Sequence, residues 1–206
     1  MKMLRAAPLV LLAVVAVSAA PALAGGETYT IDKSHSQVGF KIRHFVSKVP
    51  GRFGEFSGTI VLDPANLATA KVSVEIVPAS IDTGVPDRDK HLRSADFFDV
   101  EKFPKMMFES TGVVTKGPNK ATMKGNLTMH GVTKPVELDV DVLGFSPDPW
   151  GGYRGGFEAR GTINRKEFGI VWNQVLDTGG LMLGDDVEVT LNVEAVREKP
   201  KAAAKP

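Results

Sequence analysis

The sequence predicts an all-β domain with one helical interruption. Apolar and polar residues alternate in eight separate segments, and a period of two is the spacing at which strand side chains return to the same face of a sheet. One face of every segment is polar, as in antiparallel sheets that are solvated on one side. Most of the connections are short. Eight such strands in one domain form a closed barrel or a two-sheet sandwich, and the alternation alone does not distinguish the two.

The predicted strands begin shortly after the first 35 residues and continue to the end of the domain. In chain order they cover residues 38–42, 56–62, 72–76, 106–110, 121–127, 136–142, 157–163 and 187–193.

The longest interruption lies between the third and fourth predicted strands. Residues 86–93 are rich in charge, with acidic residues first and Lys, His and Arg later, which is the order that the helix dipole favours. Phe97 and Phe98 follow. We therefore predict a short helical insertion around residues 86–98, whose aromatic residues pack against one edge or mouth of the sheet.

The first residues of the chain differ in character from the rest. Lys2 and Arg5 precede an apolar run over residues 9–17, and Ala22-Leu23-Ala24 fits the small-x-small rule for cleavage. We predict a secretory signal peptide over residues 1–24. The alternative is a retained membrane anchor, but the apolar run is shorter than the roughly 20 residues that cross a bilayer. The mature protein is therefore expected outside the cytoplasm and without a transmembrane segment.

After cleavage, the sequence predicts one folded domain over residues 25–198. Residues 199–206 contain Lys, Ala and Pro with no apolar face to bury, and a disordered tail is expected there.

Composition argues against several classes of function. Lys and Arg total 25 and Asp and Glu total 24, so there is no basic excess of the kind that binds nucleic acid. The absence of Cys removes disulfides, thiolate nucleophiles and thiolate metal sites. The four histidines, His35, His44, His91 and His130, do not have metal-ligand spacing. No catalytic constellation is recognisable, and we expect no metal, no cofactor and no enzymatic activity.

Four stretches of the predicted domain carry a family resemblance, which extends from about Tyr29 to about Glu198. The first is Asp32-Lys33-Ser34-His35-Ser36 with Val38-Gly39-Phe40 and His44, and the second is Gly51-Arg52-Phe53 with Phe56-Ser57-Gly58. The third is Arg88-Asp89-Lys90-His91-Leu92-Arg93-Ser94 with Asp96-Phe97-Phe98-Asp99-Val100, Phe103-Pro104 and Phe108-Glu109-Ser110. The fourth is Leu127-Thr128-Met129-His130-Gly131-Val132-Thr133-Lys134-Pro135-Val136 with Ile163-Asn164-Arg165-Lys166-Glu167-Phe168-Gly169-Ile170. In order and at these spacings, they resemble the bacterial YceI-like family of lipid- and polyisoprenoid-binding proteins.

The resemblance implies a lipocalin-like, eight-stranded antiparallel barrel with an elongated apolar cavity. It also implies a periplasmic location and the binding of an isoprenoid chain, such as a polyprenyl lipid or an isoprenoid quinone. Because fold does not fix function, the cavity must also be consistent with the residues of this chain.

Inward-facing positions of the predicted strands supply the candidate lining residues. Some are small where a filled barrel would favour Leu, Ile or Phe, and two interpretations are open: they leave room for a chain, or they are bends that let the barrel close. For the larger residues, ordinary core packing is the alternative. The predicted lining residues are Phe40, Ile42, Phe56, Gly58, Ile60, Val74, Ile76, Phe108, Met123, Gly125, Leu127, Leu138, Val140, Phe157, Ala159, Gly161, Ile163, Val189 and Leu191.

A few polar residues near predicted loops are candidates for contact with a ligand head group, although the same positions also suit turn or surface residues. These candidates are Arg43, His44, His91, Arg165, Trp172 and Asn173.

The sequence therefore favours a carrier for a long isoprenoid lipid or quinone. The alternative is a structural or protein-interaction barrel with a filled core. An enzyme acting on a lipid would need clustered polar residues at the mouth, and the sequence contains no such set. A homodimer, formed through an edge strand or an apolar rim, is a further possibility.

Overall fold

A computed structural model of the chain describes residues 26–177 and 179–199. The predicted signal peptide and residues 200–206 of the predicted tail lie outside the described residues. The described strands are β1 (Glu27–Ile31), β2 (Gln37–His44), β3 (Ser47–Phe53), β4 (Phe56–Asp63), β5 (Asn66–Ile76), β6 (Ile81–Asp82), β7 (Met106–Gly117), β8 (Lys120–Met129), β9 (Val132–Pro147), β10 (Tyr153–Asn164) and β11 (Leu183–Arg197). One α-helix, α1 (Pro86–Arg93), and three 3₁₀ turns, Lys33–His35, Pro78–Ser80 and Arg165–Phe168, complete the described elements. No helix in these ranges is long and apolar enough to cross a membrane.

Eight of the strands close into an antiparallel barrel. The order around the ring is β1-β4-β5-β7-β8-β9-β10-β11, and β11 pairs again with β1. The strand alternation and short connections that favour antiparallel pairing therefore produce a barrel and not a sandwich, as the family resemblance implies.

The last strand, β11, joins three neighbours. Along one edge it pairs with β10 from Asp186 to Val196. On its other edge, the C-terminal part pairs with β1, as in Ile31↔Ala195, and the rest pairs with β2, as in Leu191↔Val38. The strand β2 pairs with β3, and β3 in turn pairs with the short strand β6. One end of the barrel is thus extended by the small β2-β3-β6 flap.

All eight predicted strands are present, but the ring includes β1 in place of the predicted strand at residues 38–42. That strand is β2 and lies in the flap. The strands β1, β3 and β6 were not predicted. Pro50 and Gly51 make β3 unlike a strand, and β3 tolerates the proline because β6 pairs with it only at Arg52 and Phe53, so Pro50 lies on an open edge.

The predicted helix is shorter than residues 86–98. It ends at Arg93, because Ser94 leaves the helical conformation with a ψ of 174° and donates its N–H to the His91 carbonyl. Residues 95–98 form turns. Phe97 is buried in the core and Phe98 packs against it, as expected for the aromatic residues of the insertion.

Candidate functional site: an apolar cavity inside the barrel

The barrel encloses a cavity of about 380 Å³ whose surface is almost wholly apolar. Every ring strand contributes to its wall, as do β2, β3 and α1. The volume falls within the range of about 300–1,000 Å³ that is typical of small-molecule pockets. The period-two alternation of the strands accounts for the apolar wall, because it directs one apolar face of each strand inward.

Most of the predicted lining residues lie on this wall. They are Phe40, Ile42, Phe56, Ile60, Val74, Ile76, Phe108, Met123, Leu127, Leu138, Val140, Phe157, Ala159, Ile163, Val189 and Leu191. Their role in ligand binding stays a prediction. Sequence reasoning missed Ile31 and Val49, which also line the cavity, because it did not predict β1 and β3. The alternation over residues 28–31 was the available signal for β1.

The three predicted glycines, Gly58, Gly125 and Gly161, are not on the wall. A β-carbon on Gly125 would lie 2.3 Å from Cζ of Phe108, and one on Gly161 would lie 2.7 Å from Cδ2 of Leu138. One on Gly58 would lie 2.5 Å from the Ser73 carbonyl oxygen. These glycines therefore make room for neighbouring strands and side chains, and not directly for the cavity.

Three aromatic rings gather where α1 meets the cavity. The rings of His91 and Trp172 are 5.0 Å apart and nearly perpendicular, and Phe97 lies 5.1 Å from each of them. His91 also pairs through Nε2 with Asp96 Oδ2 at 2.8 Å. His91, Phe97 and Trp172 line the cavity, so this cluster forms part of its wall on the side of the helix.

Arg165 is almost completely buried beside the same cluster, with 3% of its surface exposed. Its Nε donates to the Gly184 carbonyl at 2.9 Å, and its Nη1 donates to the carbonyls of Ile170 and Trp172, each at 2.8 Å. Burial lowers the pKa of the guanidinium, and Asp185, 3.6 Å from Nη2, acts in the opposite direction. Arg165 thus holds the segment after β10 against the start of β11.

The structure separates the predicted head-group residues into two sets. His44, His91, Arg165 and Trp172 line the cavity, whereas Arg43 and Asn173 do not. Arg43 is exposed and donates to the Phe45 carbonyl at 3.2 Å. Asn173 bonds to both the N–H and the carbonyl of Leu183. Contact of any of these residues with a head group stays a prediction.

A polar network that the sequence did not predict lies around Arg154. Asp32, His35 and Glu194 have side-chain atoms that could bind a metal ion, all within 4.8 Å of one another. The positively charged guanidinium of Arg154 already pairs with two of them: its Nη1 is 2.8 Å from Asp32 Oδ2 and also donates to Glu194. Hydrogen bonds from His35 and then from Arg154 hold the pKa of Asp32 well below its usual range. The network ties the turn after β1 to β10 and β11.

The fold and the cavity together define a class of protein: a closed antiparallel barrel around an apolar pocket. Residues 29–195 match the model of the YceI-like domain, and the chain belongs to the YceI-like family. It is 46% identical over 186 residues to a UPF0312 protein of Serratia proteamaculans, covering 89% of this chain and 92% of that protein.

Solved structures show the same fold. The YCEI protein of Campylobacter jejuni is 36% identical, with a TM-score of 0.68 over 82% of this chain and 96% of that one. A polyisoprenoid binding domain from Saccharophagus degradans is 14% identical, with a TM-score of 0.60 over 82% of this chain and 98% of that one, and shares the fold alone.

Proposed function

We propose that the protein binds one long apolar chain, a polyisoprenoid-type lipid or an isoprenoid quinone, and carries it in the periplasm. The observation that carries this proposal is the cavity, which is almost wholly apolar and is lined by every strand of the barrel. Each methylene moved from water into such a cavity contributes roughly 0.8 kcal/mol, so a long hydrocarbon can bind without a strong polar contact.

Two further observations support the class of ligand and the location. The Saccharophagus degradans domain, which has the same fold, is described as binding polyisoprenoids. The charged, apolar and small-residue segments of residues 1–24 have the order of a secretory signal, which fits a protein that works outside the cytoplasm.

The nature of the cavity wall favours binding over the other two hypotheses. A barrel that served only as a structural or interaction module would be expected to fill its interior with side chains, and this interior contains about 380 Å³ of space. Catalysis would need polar groups directed at the bound molecule, and very little polar surface faces this cavity.

Native mass spectrometry of the protein, purified from its own host and followed by organic extraction, tests the proposal. We expect a stoichiometric added mass that extraction identifies as a prenyl lipid or a quinone. A bare protein mass that is unchanged by incubation with polyprenyl lipids and quinones would overturn the proposal. Recovery of the protein in the osmotic-shock fraction tests the periplasmic location, and retention in spheroplasts would contradict it.

A further inference from the structure

The loop between β2 and β3 does not contain the residues that are usual in a two-residue hairpin. His44 pairs with Ser47, so Phe45 and Val46 form the loop, and Phe45 has a φ of 49°. Gly, Asn or Asp is strongly preferred at such positions. Here the loop contains two large apolar residues instead, and Phe45 is 43% exposed while Val46 is fully exposed. Positions that break a local rule are often functional.

A hydrogen bond joins this loop to a second segment with exposed apolar side chains, and Arg165 links that segment to a third through the carbonyls of Gly184 and Trp172. The N–H of Phe45 donates to the Met182 carbonyl at 3.0 Å, and Val175 forms an isolated bridge with Leu181. Val171 precedes Trp172 on the segment held by Arg165. We call the five exposed side chains the apolar rim; they are Phe45, Val46, Val171, Val175 and Leu181.

The apolar rim is continuous with the cavity wall. On each of the three segments, a rim residue is adjacent in sequence to a lining residue: Phe45 follows His44, Val171 lies between Ile170 and Trp172, and Leu181 precedes Met182. The lining residues in these pairs are His44, Ile170, Trp172 and Met182. The same three segments therefore contribute side chains to the cavity wall and also expose apolar side chains to solvent.

We propose that the apolar rim docks on the surface of a lipid bilayer, so that the bound chain passes between membrane and cavity without crossing water. This inference rests on the proposed function, because it requires a long apolar ligand. A chain released into water loses the hydrophobic free energy of its whole length, whereas a rim that is pressed into a membrane gives the chain an apolar route.

Nearby charge predicts how the docking depends on lipid and salt. Arg43 is exposed beside Phe45, and Asp177 is exposed in the turn between Val175 and Leu181. Lys48, which lies opposite Arg43 in the hairpin, is paired with Glu188. With two charges of each sign, the rim has little net attraction for anionic lipid. If docking occurs through apolar contact, the protein should bind phosphatidylcholine vesicles as strongly as vesicles with added phosphatidylglycerol. The binding should depend little on salt concentration.

Two variants of the mature protein test the role of the rim. Phe45→Asn places a residue that tolerates positive φ at that position, and Val46→Gly removes the other exposed apolar side chain. This variant should be about as stable as the original protein, while its binding to phosphatidylcholine vesicles falls at least about tenfold. Val114→Asn with Leu143→Asn removes two other exposed apolar side chains and is the matched control, expected to bind vesicles normally.

Transfer kinetics provide the second measurement. The probe is an anthroyloxy-labelled stearate, loaded into the protein and transferred to phosphatidylcholine vesicles. If the rim docks, the transfer rate rises with vesicle concentration, and the loop variant loses this dependence. A rate that is independent of vesicle concentration would overturn the proposal, as would equal vesicle binding by the loop variant and the control.

The same experiments separate failure of the rim from failure of the proposed function. If the protein binds the labelled stearate but the loop variant still docks, only the rim proposal fails. If the protein binds neither the stearate nor any polyprenyl lipid or quinone, the proposed function itself fails. A third outcome is that the original protein forms dimers but does not bind vesicles, and that the loop variant is monomeric. This outcome would assign the rim to self-association and overturn the lipid proposal.

Discussion

The ring of Phe108 lies directly over the backbone of Gly125 on the neighbouring strand, where a β-carbon would be 2.3 Å from the ring. The two residues belong to β7 and β8, and Gly125 pairs with Ser110, beside an irregularity in the register between Ser110 and Gly112. The glycine is thus needed for the position of an aromatic side chain that lines the cavity.

Gly125→Ala is expected to destabilise the protein by about 1–3 kcal/mol, because the added methyl group overpacks the site. The new β-carbon would also approach the Glu109 carbonyl oxygen at 2.8 Å, which leaves the backbone little freedom to relax. Urea unfolding measures the difference. Gly112→Ala is the control, since a β-carbon on Gly112 would meet no other atom within 4 Å; an equal loss in both variants would contradict the explanation.

Ala159→Phe is expected to reduce the binding of an apolar probe by tenfold or more. Ala159 lines the cavity from β10, and a phenylalanine there fills space that the ligand would occupy. Thr162→Phe, at an exposed position on the same strand, is the matched control and should leave binding unchanged. Titration with the labelled stearate measures both, and undiminished binding by Ala159→Phe would place the ligand elsewhere.

Arg165→Lys is expected to lower the free energy of unfolding by about 2–4 kcal/mol. A lysine cannot reproduce the fork that reaches the carbonyls of Gly184, Ile170 and Trp172, and buried carbonyls without donors are costly. Amide hydrogen exchange should rise over residues 170–184. Arg160→Lys, an exposed arginine, should change stability by only about 0.5 kcal/mol or less. Unchanged exchange in Arg165→Lys would refute this role.

The stability of the protein should fall in acid partly through Asp32. Its hydrogen bonds to His35 and Arg154 lower its pKa in the folded state, so the folded protein binds the proton less tightly than the unfolded chain. The stabilisation is therefore complete above the ordinary pKa of about 3.9 and is lost as the pH falls below it. Unfolding free energies measured from pH 6 to pH 2 should decline less steeply in Asp32→Asn. Parallel curves for the two proteins would exclude this contribution.

The sequence predicted the repeated parts of the fold because strand alternation is a local signal. It did not predict that β1 would replace β2 in the ring, since β1 has only five residues and its place depends on pairing with β4 and β11. Nor could it predict β3, where Pro50 and Gly51 oppose a strand locally. The need for glycine at position 51 becomes clear only from the cross-strand neighbour Phe40, because a β-carbon at Gly51 would be 2.3 Å from the Phe40 ring.

The cavity wall was more predictable than the polar positions. Inward residues such as Ile60 and Leu138 follow from alternation, and they lie on the wall. The direction of a loop side chain depends on distant partners: Asn173 turns towards Leu183, and Arg165 turns towards three carbonyls. His130 is within hydrogen-bond distance of the Phe168 carbonyl at 3.1 Å, a contact across 38 residues that no local pattern encodes.

Closure of the barrel joins residues 29–31 to residues 195–197, and this has a consequence for biosynthesis. Because the chain is synthesised from the N-terminus, one edge of β1 lacks its partner, β11, until almost the whole domain has been made. Pairing over so long a separation is slow, and unpaired strand edges are prone to aggregate. The barrel therefore closes only when Ala195 reaches Ile31, and until then β1 keeps one unpaired edge.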